Sequence, residues 1–494
     1  MADLVLGVDA STTAVKAVAF DRYGKPHAEA RATYPLHRPA AGHFEQDAPD
    51  WWAAFCDATG AVATAIGAER IAALAIGVQR ETFVLLDRDG TPTHPAILWL
   101  DERARAEVSE LSDLFSRETL RQITGKPPDP TPALYALRWL RKHRPETLAC
   151  ANVLLDVHGY LTLRLTGKAT TALPAADPLG LVDLGTGTFH PDLVAAAGLG
   201  PAAMPRLCAA GTQMGTVSAE AAQAAGLSVG TPLFAGGGDG QITGLGLGAI
   251  QGDDAYLSIG SGIVTGMLVP DYRTDDAFRT LASPTGNGFM VETVIRSGMQ
   301  LIEWVCATTG QSIEQLENEA AKLPPGSDGL LCLPYFAGAM NPHWDDAARG
   351  TYLGLSLSHT PAHLFRAAME GLAFEQALAT AAMETSLGVR AEHFIACGGG
   401  LKSKILPPVL AAVLGRPIAV SPVQEGVALG SAILAATGTG WFHDIDAAVS
   451  EMVEPPETVH RPDPTLEAQY APLSKIYADF YQSLAPLQAR LNAV

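Results

Sequence analysis

The chain has 494 residues, and its 52 Asp and Glu against 33 Lys and Arg give a formal net charge of −19. That length calls for at least two domains with cores of their own, and 48% hydrophobic against 17% charged residues excludes a disordered chain. The acidic balance excludes nucleic acid or an anionic membrane surface as the main partner, because phosphate backbones are bound by basic patches.

In chain order, residues 4–8 and 15–20 are short apolar runs that read as strands around a small-residue turn carrying Asp9, Ser11, Thr12 and Thr13. Residues 22–25 turn the second run into a third strand, and Asp50-Trp51-Trp52 opens a helix to about Ile66 with Asp50 as its N-cap. Residues 71–78 read as a buried strand that delivers Gln79-Arg80-Glu81-Thr82. Apolar stretches follow at 82–86 and 96–100, on either side of a turn at Arg88-Asp89-Gly90. A helix is predicted over 131–142, with mixed periodicity over 156–165. In the second half, 255–259 and 263–269 flank Gly260-Ser261-Gly262 as a hairpin, and 394–397 is a short strand ending in three glycines. Residues 299–306, 363–382 and 405–414 read as amphipathic helices. Strands and helices alternating in this way predict an α/β protein. The predicted division is 1–248, 249–452, and a proline-rich extension 453–494 whose last helix starts near Thr465 and packs back on the body.

The stretch FAGGGDGQITGLGLGAIQGDDAYLSIGSGIVTG sets Asp239 behind three glycines, with Ser261 in a second glycine turn soon after. A carboxylate where backbone packs closely, beside a hydroxyl-bearing turn, suits a proton acceptor facing a phosphate cradle; the plainer alternative is a helix cap. The strand-turn-strand unit at Asp9–Lys16 is its counterpart, and two such units suggest a duplicated fold with ATP held between the copies. Phosphoryl transfer to an alcohol needs an in-line acceptor, a base for its proton and neutralisation of the phosphate charge. Asp239 is the candidate base. Asp9 is placed to orient hydrated Mg²⁺, which keeps several waters and few protein ligands. Thr12, Thr13 and Ser261 offer hydroxyls and N–H groups to phosphate oxygens, and Lys16 offers a cation. Arg80 and Glu81 can donate to and accept from neighbouring hydroxyls of a polyol, the alternative being a surface ion pair. Trp99-Leu100-Asp101-Glu102-Arg103 closes the next strand and is expected to line the same pocket.

Other motifs carry less. Gly24-Lys25, Gly125-Lys126 and Gly167-Lys168 lack the remainder of a P-loop, and Gly244, Gly246 and Gly248 follow a glycine loop rather than a clean strand, so they read as helix-packing positions rather than a dinucleotide fingerprint. His359 and His363 are four apart but no acidic residue completes a zinc motif. The six cysteines are scattered, which reads as buried thiols in a reducing compartment. Trp51, Trp52 and Trp304 read as packing residues. With a strand directly after the start and no long apolar run, a cytoplasmic protein is expected.

Along nearly its whole length the chain resembles the FGGY carbohydrate kinases, and among them the xylulokinases. The resemblance is carried by HFEQDAPDWW, AILWLDERA, FAGGGDGQITG, LPYFAGAMNPHWDDAARG, GTYLGLSLSHTPAHLFRAAMEG, CGGGLKS and EGVALGSAILA. It implies two ribonuclease-H-like domains, as in actin and hexokinase, flanking a cleft with sugar deep inside and ATP-Mg²⁺ across the mouth. It implies Asp239 as general base, and Asp9, Thr12, Thr13 and Lys16 at the phosphates and metal. Ser261 would sit at the second phosphate turn, with Gly399, Gly400 and Ser403 on the adenosine side. Homodimers are among the states the family adopts.

The departures bear on the substrate. Ser11 stands where the family usually has Gly, and Ala136 where a lysine usually precedes the tryptophan, here Trp139. Arg80-Glu81 replaces the Met-His pair of xylulokinases and is similar to glycerol kinase, where both residues bind the polyol. Glycerol kinases, however, place a tyrosine near Thr131 and a glutamine at Gly240. The expectation is therefore a kinase for a ketopentose such as xylulose, with glycerol or another polyol as the alternative. A catalytically silent ATP- and sugar-binding sensor is the alternative of another class.

Overall fold

The computed structural model describes residues 2–492 and contains two sheets of the same design. The first holds β1 (Leu4–Ala10), β2 (Ala14–Phe20), β3 (Pro26–Thr33), β4 (Ile71–Val78), β5 (Gln213–Thr216) and β6 (Pro232–Gly238), in the order β5-β6-β4-β1-β2-β3. The second holds β7 (Asp254–Ile259), β8 (Ile263–Val269), β9 (Arg279–Ala282), β10 (Phe289–Ile295), β11 (His393–Cys397), β12 (Ile418–Val420) and β13 (Thr458–His460), in the order β9-β10-β8-β7-β11-β12-β13. In each, an antiparallel meander (β1-β2-β3; β7-β8-β10) continues into two parallel strands beside its first member (β4 and β6; β11 and β12). That common 3-2-1-4-5 pattern is the duplicated α/β fold expected from the two strand-turn-strand units.

Nine helices frame the sheets for this description: α1 (Ala48–Ile66), α2 (Val157–Thr166), α3 (Asp239–Gly246), α4 (Gly298–Thr309), α5 (Pro361–Leu387), α6 (Leu406–Leu414), α7 (Gly426–Gly438), α8 (Ile445–Met452) and α9 (Pro464–Asn492). The core of the first lobe joins β1, β2 and β4 to α1 through Val8, Ile76, Trp51 and Phe55, whereas that of the second joins β7, β8 and β10 to α5 and α6 through Leu257, Val291, Phe365 and Leu410. Helix α7 lies between β12 and β13 of the second sheet in sequence but packs on β1, β4 and α3 of the first. Glycines make this possible: a Cβ on Gly7 would meet the Ala428 carbonyl oxygen at 1.8 Å, and one on Gly246 would meet that of Gly426 at 1.9 Å. The packing role read for Gly244, Gly246 and Gly248 therefore has a physical basis in the contacts at Gly246.

Several local expectations shift. Helix α1 starts at Ala48 with Asp47 at its N-cap and no capping side chain, so Asp50 lies in the first turn instead. Pro132 forms the N-cap of a helix over Ala133–His143, two residues later than expected, because proline fixes the preceding turn. The strand expected over 96–100 stops at Ile97. Among the cysteines only Cys208 and Cys332 are buried, and Cys150 is exposed. Trp51 and Trp52 are buried, but Trp304 is 46% exposed and lies against Phe336 rather than in the core. His363 closes the capping box of α5 with Thr360 and faces Asp328, which accounts for it without a metal.

Candidate active site

Parallel strands deliver the site. Asp9 and Gly237 are both in register with Gly77 of the strand between them, and Ala10 and Gly238 with Val78. The carboxyl ends of β1, β4 and β6 thus project Asp9 to Thr13, Gln79 to Thr82, and Asp239 from one edge, where open α/β sheets bind ligands. The glycines before Asp239 are required by close approach: a Cβ on Gly236 would lie 1.9 Å from the Ile76 carbonyl oxygen, and one on Gly238 2.5 Å from Arg80 Cδ. Asp239 occupies the first turn of α3, and its Oδ1 accepts from the Gly240 N–H at 2.8 Å.

Arg80 is buried beside it. Its Nε lies 3.1 Å from Asp239 Oδ1 and its Nη1 2.7 Å from Glu292 Oε2 on β10 of the other lobe. Arg279 on β9 pairs with Glu292 at 3.0 Å and with Glu81 at 3.1 Å. Tyr256 donates its hydroxyl to Glu292 Oε1 at 2.5 Å. Burial pushes the Glu81 carboxyl up, against the opposing pull of Arg279 and Arg80. Burial acts on Glu292 in the same sense, but the charges of Arg80 and Arg279 outweigh it and hold Glu292 below its ordinary value. Glu81 takes φ of 61°, a left-handed conformation that is strained for a residue with a Cβ and recurs at functional sites.

In the first turn, Trp99 Nε1 donates to Thr12 Oγ1 at 3.0 Å and Gln46 Nε2 donates to the Thr12 carbonyl at 2.6 Å. Thr13 is exposed. Lys16 Nζ sits 2.5 Å from Glu425 and 3.5 Å from Glu29, so its charge is shared in this structure. Asp9 Oδ1 is buried without a hydrogen-bond partner. Burial, then the charges of Asp239 and Glu425, push its carboxyl up to about 8, with Lys16 opposing. In the second turn, Ser261 is exposed between Gly260 and Gly262, and the Met299 N–H of α4 donates to the Gly260 carbonyl at 2.9 Å. Gly262 lies against Gly298, whose Cβ would come within 2.7 Å of the Gly262 carbonyl carbon. In the third segment, nothing would lie within 4 Å of a Cβ on Gly399, whereas Gly400 is packed on Ile259. Ser403 donates its hydroxyl to Glu317 at 2.6 Å and accepts from the Ile405 and Leu406 N–H groups, so it anchors the loop.

A cleft of about 400 Å³ opens between the lobes, and Arg80, Glu81, Asp239 and Ser261 all line it. Trp99, Leu100, Asp101 and Glu102 line it as well, as their position after a strand suggested, whereas Arg103, expected with them, turns instead to Glu45 and Asp101. Asp9, Thr12, Thr13 and Lys16 stand at the adjoining turn, and Gly399, Gly400 and Ser403 on the far side of β7. Sequence reasoning missed Glu292, Arg279 and Arg296. Arg296 at the end of β10 bonds Asp129 of the first lobe, and its Nη1 lies 2.5 Å from Asp346. The signal for Glu292 was a lone carboxylate in the largely apolar strand FMVETVI.

Chemically, a half-exposed carboxylate held by an arginine, lining one cleft with a glycine-serine turn, suits a two-lobed phosphotransferase acting on an alcohol. The chain matches the FGGY family of carbohydrate kinases, N-terminal domain, over residues 4–246, and the C-terminal domain of that family over 255–439. It is 28% identical to the xylulose kinase of Lactococcus lactis subsp. lactis (strain IL1403), over 99% of this chain and 98% of that protein. It is 32% identical to the autoinducer-2 kinase of Yersinia enterocolitica, over 91% and 89%. The crystal structure of xylulose kinase from Rhodospirillum rubrum superposes with a TM-score of 0.91 at 28% identity, covering 98% of this chain and 100% of that one. The chain belongs to the FGGY family of carbohydrate kinases: it is a sugar kinase, with ATP as co-substrate.

Proposed function

We propose that this kinase transfers the γ-phosphate of ATP to a hydroxyl of a ketopentose such as xylulose, with Asp239 as general base. The observation that carries this reading is the Asp239–Arg80 pair, which lines the cleft together with Glu81 and Ser261. Arg80 and Glu81 orient the sugar by donating to and accepting from neighbouring hydroxyls. Asp239 takes the proton of the attacking hydroxyl as the new O–P bond forms and the bond from the γ-phosphorus to the β–γ bridging oxygen breaks, and it then returns that proton to solvent. Thr12, Thr13, Lys16 and Ser261 meet the phosphates, and Gly399, Gly400 and Ser403 form the adenosine-side loop, where the open space at Gly399 leaves room for the base. The orphaned carboxylate of Asp9, repelled by Asp239 and Glu425, fits a hydrated Mg²⁺. When bound, Mg²⁺ supplies charge neutralisation at the phosphates. We divide the lobes near Gly248, with α7 serving both. ATP as co-substrate supports a cytoplasmic location, and no helix among the described residues is long and apolar enough to cross a membrane. A homodimer is the proposed assembly.

The similarity to xylulose kinases along the full chain supports the ketopentose. Arg80-Glu81 favours a second reading, glycerol or another polyol. Either way the acceptor is uncharged, since the arginines lining the cleft already face carboxylates: Arg80 and Arg279 those named above, Arg105 Glu102 and Asp346, and Arg296 Asp129 and Asp346. An ADP-release assay across pentuloses, hexuloses, polyols and sugar acids tests this. Highest kcat/KM on a ketopentose is expected; highest kcat/KM on glycerol moves the assignment to the polyol, and preference for a sugar acid overturns both.

A further inference from the structure

Among the described residues, the charge cluster built most completely across the lobes centres on Glu292, which the reaction scheme above does not use. Its side chain is fully buried on β10 and accepts from four donors: the Tyr256 hydroxyl at 2.5 Å, Arg80 Nη1 at 2.7 Å, and Arg279 Nη2 and Nε at 3.0 and 3.2 Å. Both oxygens are engaged, Oε1 by Tyr256 and Oε2 by the two arginines, which a residue kept only for bulk would not need. One terminal nitrogen of the Arg80 guanidinium, Nη1, is held by Glu292 Oε2, while Nε is aimed at Asp239 Oδ1 at 3.1 Å. Gly238 lies against the Arg80 stem and Gly240 against its guanidinium: a Cβ on Gly240 would lie 2.8 Å from both Arg80 Nη2 and Glu292 Oε1.

Charge balance gives the arrangement its second effect. Arg80 and Arg279 are matched by Glu81 and Glu292, so the cluster beside Asp239 is neutral. Removing the charge of Glu292 leaves a buried positive charge facing Asp239, which lets Arg80 collapse onto the carboxylate and weakens it as a proton acceptor. The other charges facing Asp239 are Asp9 and Glu81, and Lys126 lies one step farther out, paired with Asp177 at 3.3 Å.

We propose that Glu292 is a positioning residue for phosphoryl transfer, acting on Asp239 through Arg80 and coupling the base of the first lobe to a carboxylate of the second. The proposal rests on the reading of Asp239 as the base. Because Glu292 arrives with the second lobe, Asp239 is held in its working geometry only while the lobes are together, which suits an enzyme that must exclude water before activating an alcohol.

A double-mutant cycle tests it, with kcat measured on xylulose, or on the best acceptor of the sugar panel, for the wild type, Glu292→Gln, Asp239→Asn and the double variant. Glu292→Gln is expected to lower kcat at least about tenfold with the KM for ATP unchanged, and to change the residual kcat of the Asp239→Asn chain by less than about twofold, because residues acting as one unit are not additive. An equal fold loss in both backgrounds, or no loss in either, overturns the proposal. If Asp239→Asn alone retains near wild-type kcat, it is the base assignment that fails. Should Glu292→Gln not fold, Glu292→Asp, which keeps the charge but shortens its reach, is read in the same cycle with the same criteria.

Discussion

Arg80 Nε stands 3.1 Å from Asp239 Oδ1, although the two residues leave different strands of the first sheet and meet only because glycine occupies positions 238 and 240. This edge-on hold needs the planar fork of arginine, since the same group must also reach Glu292. Arg80→Lys is expected to raise the KM for the sugar at least about tenfold and to lower kcat, while the KM for ATP stays within about threefold. Steady-state kinetics with each substrate varied in turn separates the two.

Arg296 ties the lobes at the mouth of the cleft by bonding Asp129 on one side and Asp346 on the other. Removing one partner of a largely buried ionic cluster costs about 3–5 kcal/mol, because the charges left behind are unpaired. Arg296→Met is expected to lower the thermal midpoint and to increase the radius of gyration of the sugar-free protein in solution scattering. An unchanged radius with a lower midpoint would mean that the cluster stabilises one lobe rather than their closure.

Asp9 presents a buried carboxylate oxygen with no partner, repelled by Asp239 and Glu425. Asparagine removes the charge that burial and those two carboxylates oppose, so Asp9→Asn is expected to raise the thermal midpoint of the nucleotide-free protein at pH 8 and above, where the wild-type carboxyl ionises. The same change is expected to lower kcat and to weaken its dependence on Mg²⁺, the usual exchange of stability against activity at a site. Differential scanning calorimetry and a Mg²⁺ titration of turnover check the two halves independently.

Helix α9 is held to α5 by Glu375, which accepts from the hydroxyls of Tyr335 and Tyr477. Burial pushes the Glu375 carboxyl up to about 7, against those two hydrogen bonds. A raised carboxyl means that the folded state binds the extra proton, so its contribution is present below the unfolded value of 4.5 and is lost as pH rises to about 7. The loss reaches the order of 3 kcal/mol above that window. Glu375→Gln carries no such dependence, and is expected to melt higher than the wild type at pH 8 and no higher at pH 4.5. Melting curves across that range measure it.

Much of the site could be read from the chain because its parts are local. Asp9 to Lys16, Arg80-Glu81 and Asp239 each follow an apolar strand directly, and the glycines around Asp239 marked close approach before any contact was known. The second glycine turn likewise lay between two runs with strand periodicity. What escaped reading depends on contacts distant in sequence. Glu292 and Arg279 sit in strands whose register with each other, and whose approach to Arg80 from far along the chain, no local pattern encodes. The return of α7 to the first sheet is equally silent in periodicity, although the glycines of EGVALGSAILA that permit it were in plain view. The helix starts at 48 and 133 were displaced because proline, rather than an acidic cap, determined them.

The central claim is that Asp239 removes the proton of the sugar hydroxyl. Its most direct test is kcat for Asp239→Asn against the wild type, with xylulose and ATP at saturation and the KM for ATP measured alongside. The account predicts a fall of at least about a hundredfold, the scale of a positioned general base, with the KM for ATP within about threefold. Turnover near that of the wild type, on an acceptor that the wild type phosphorylates, would contradict it.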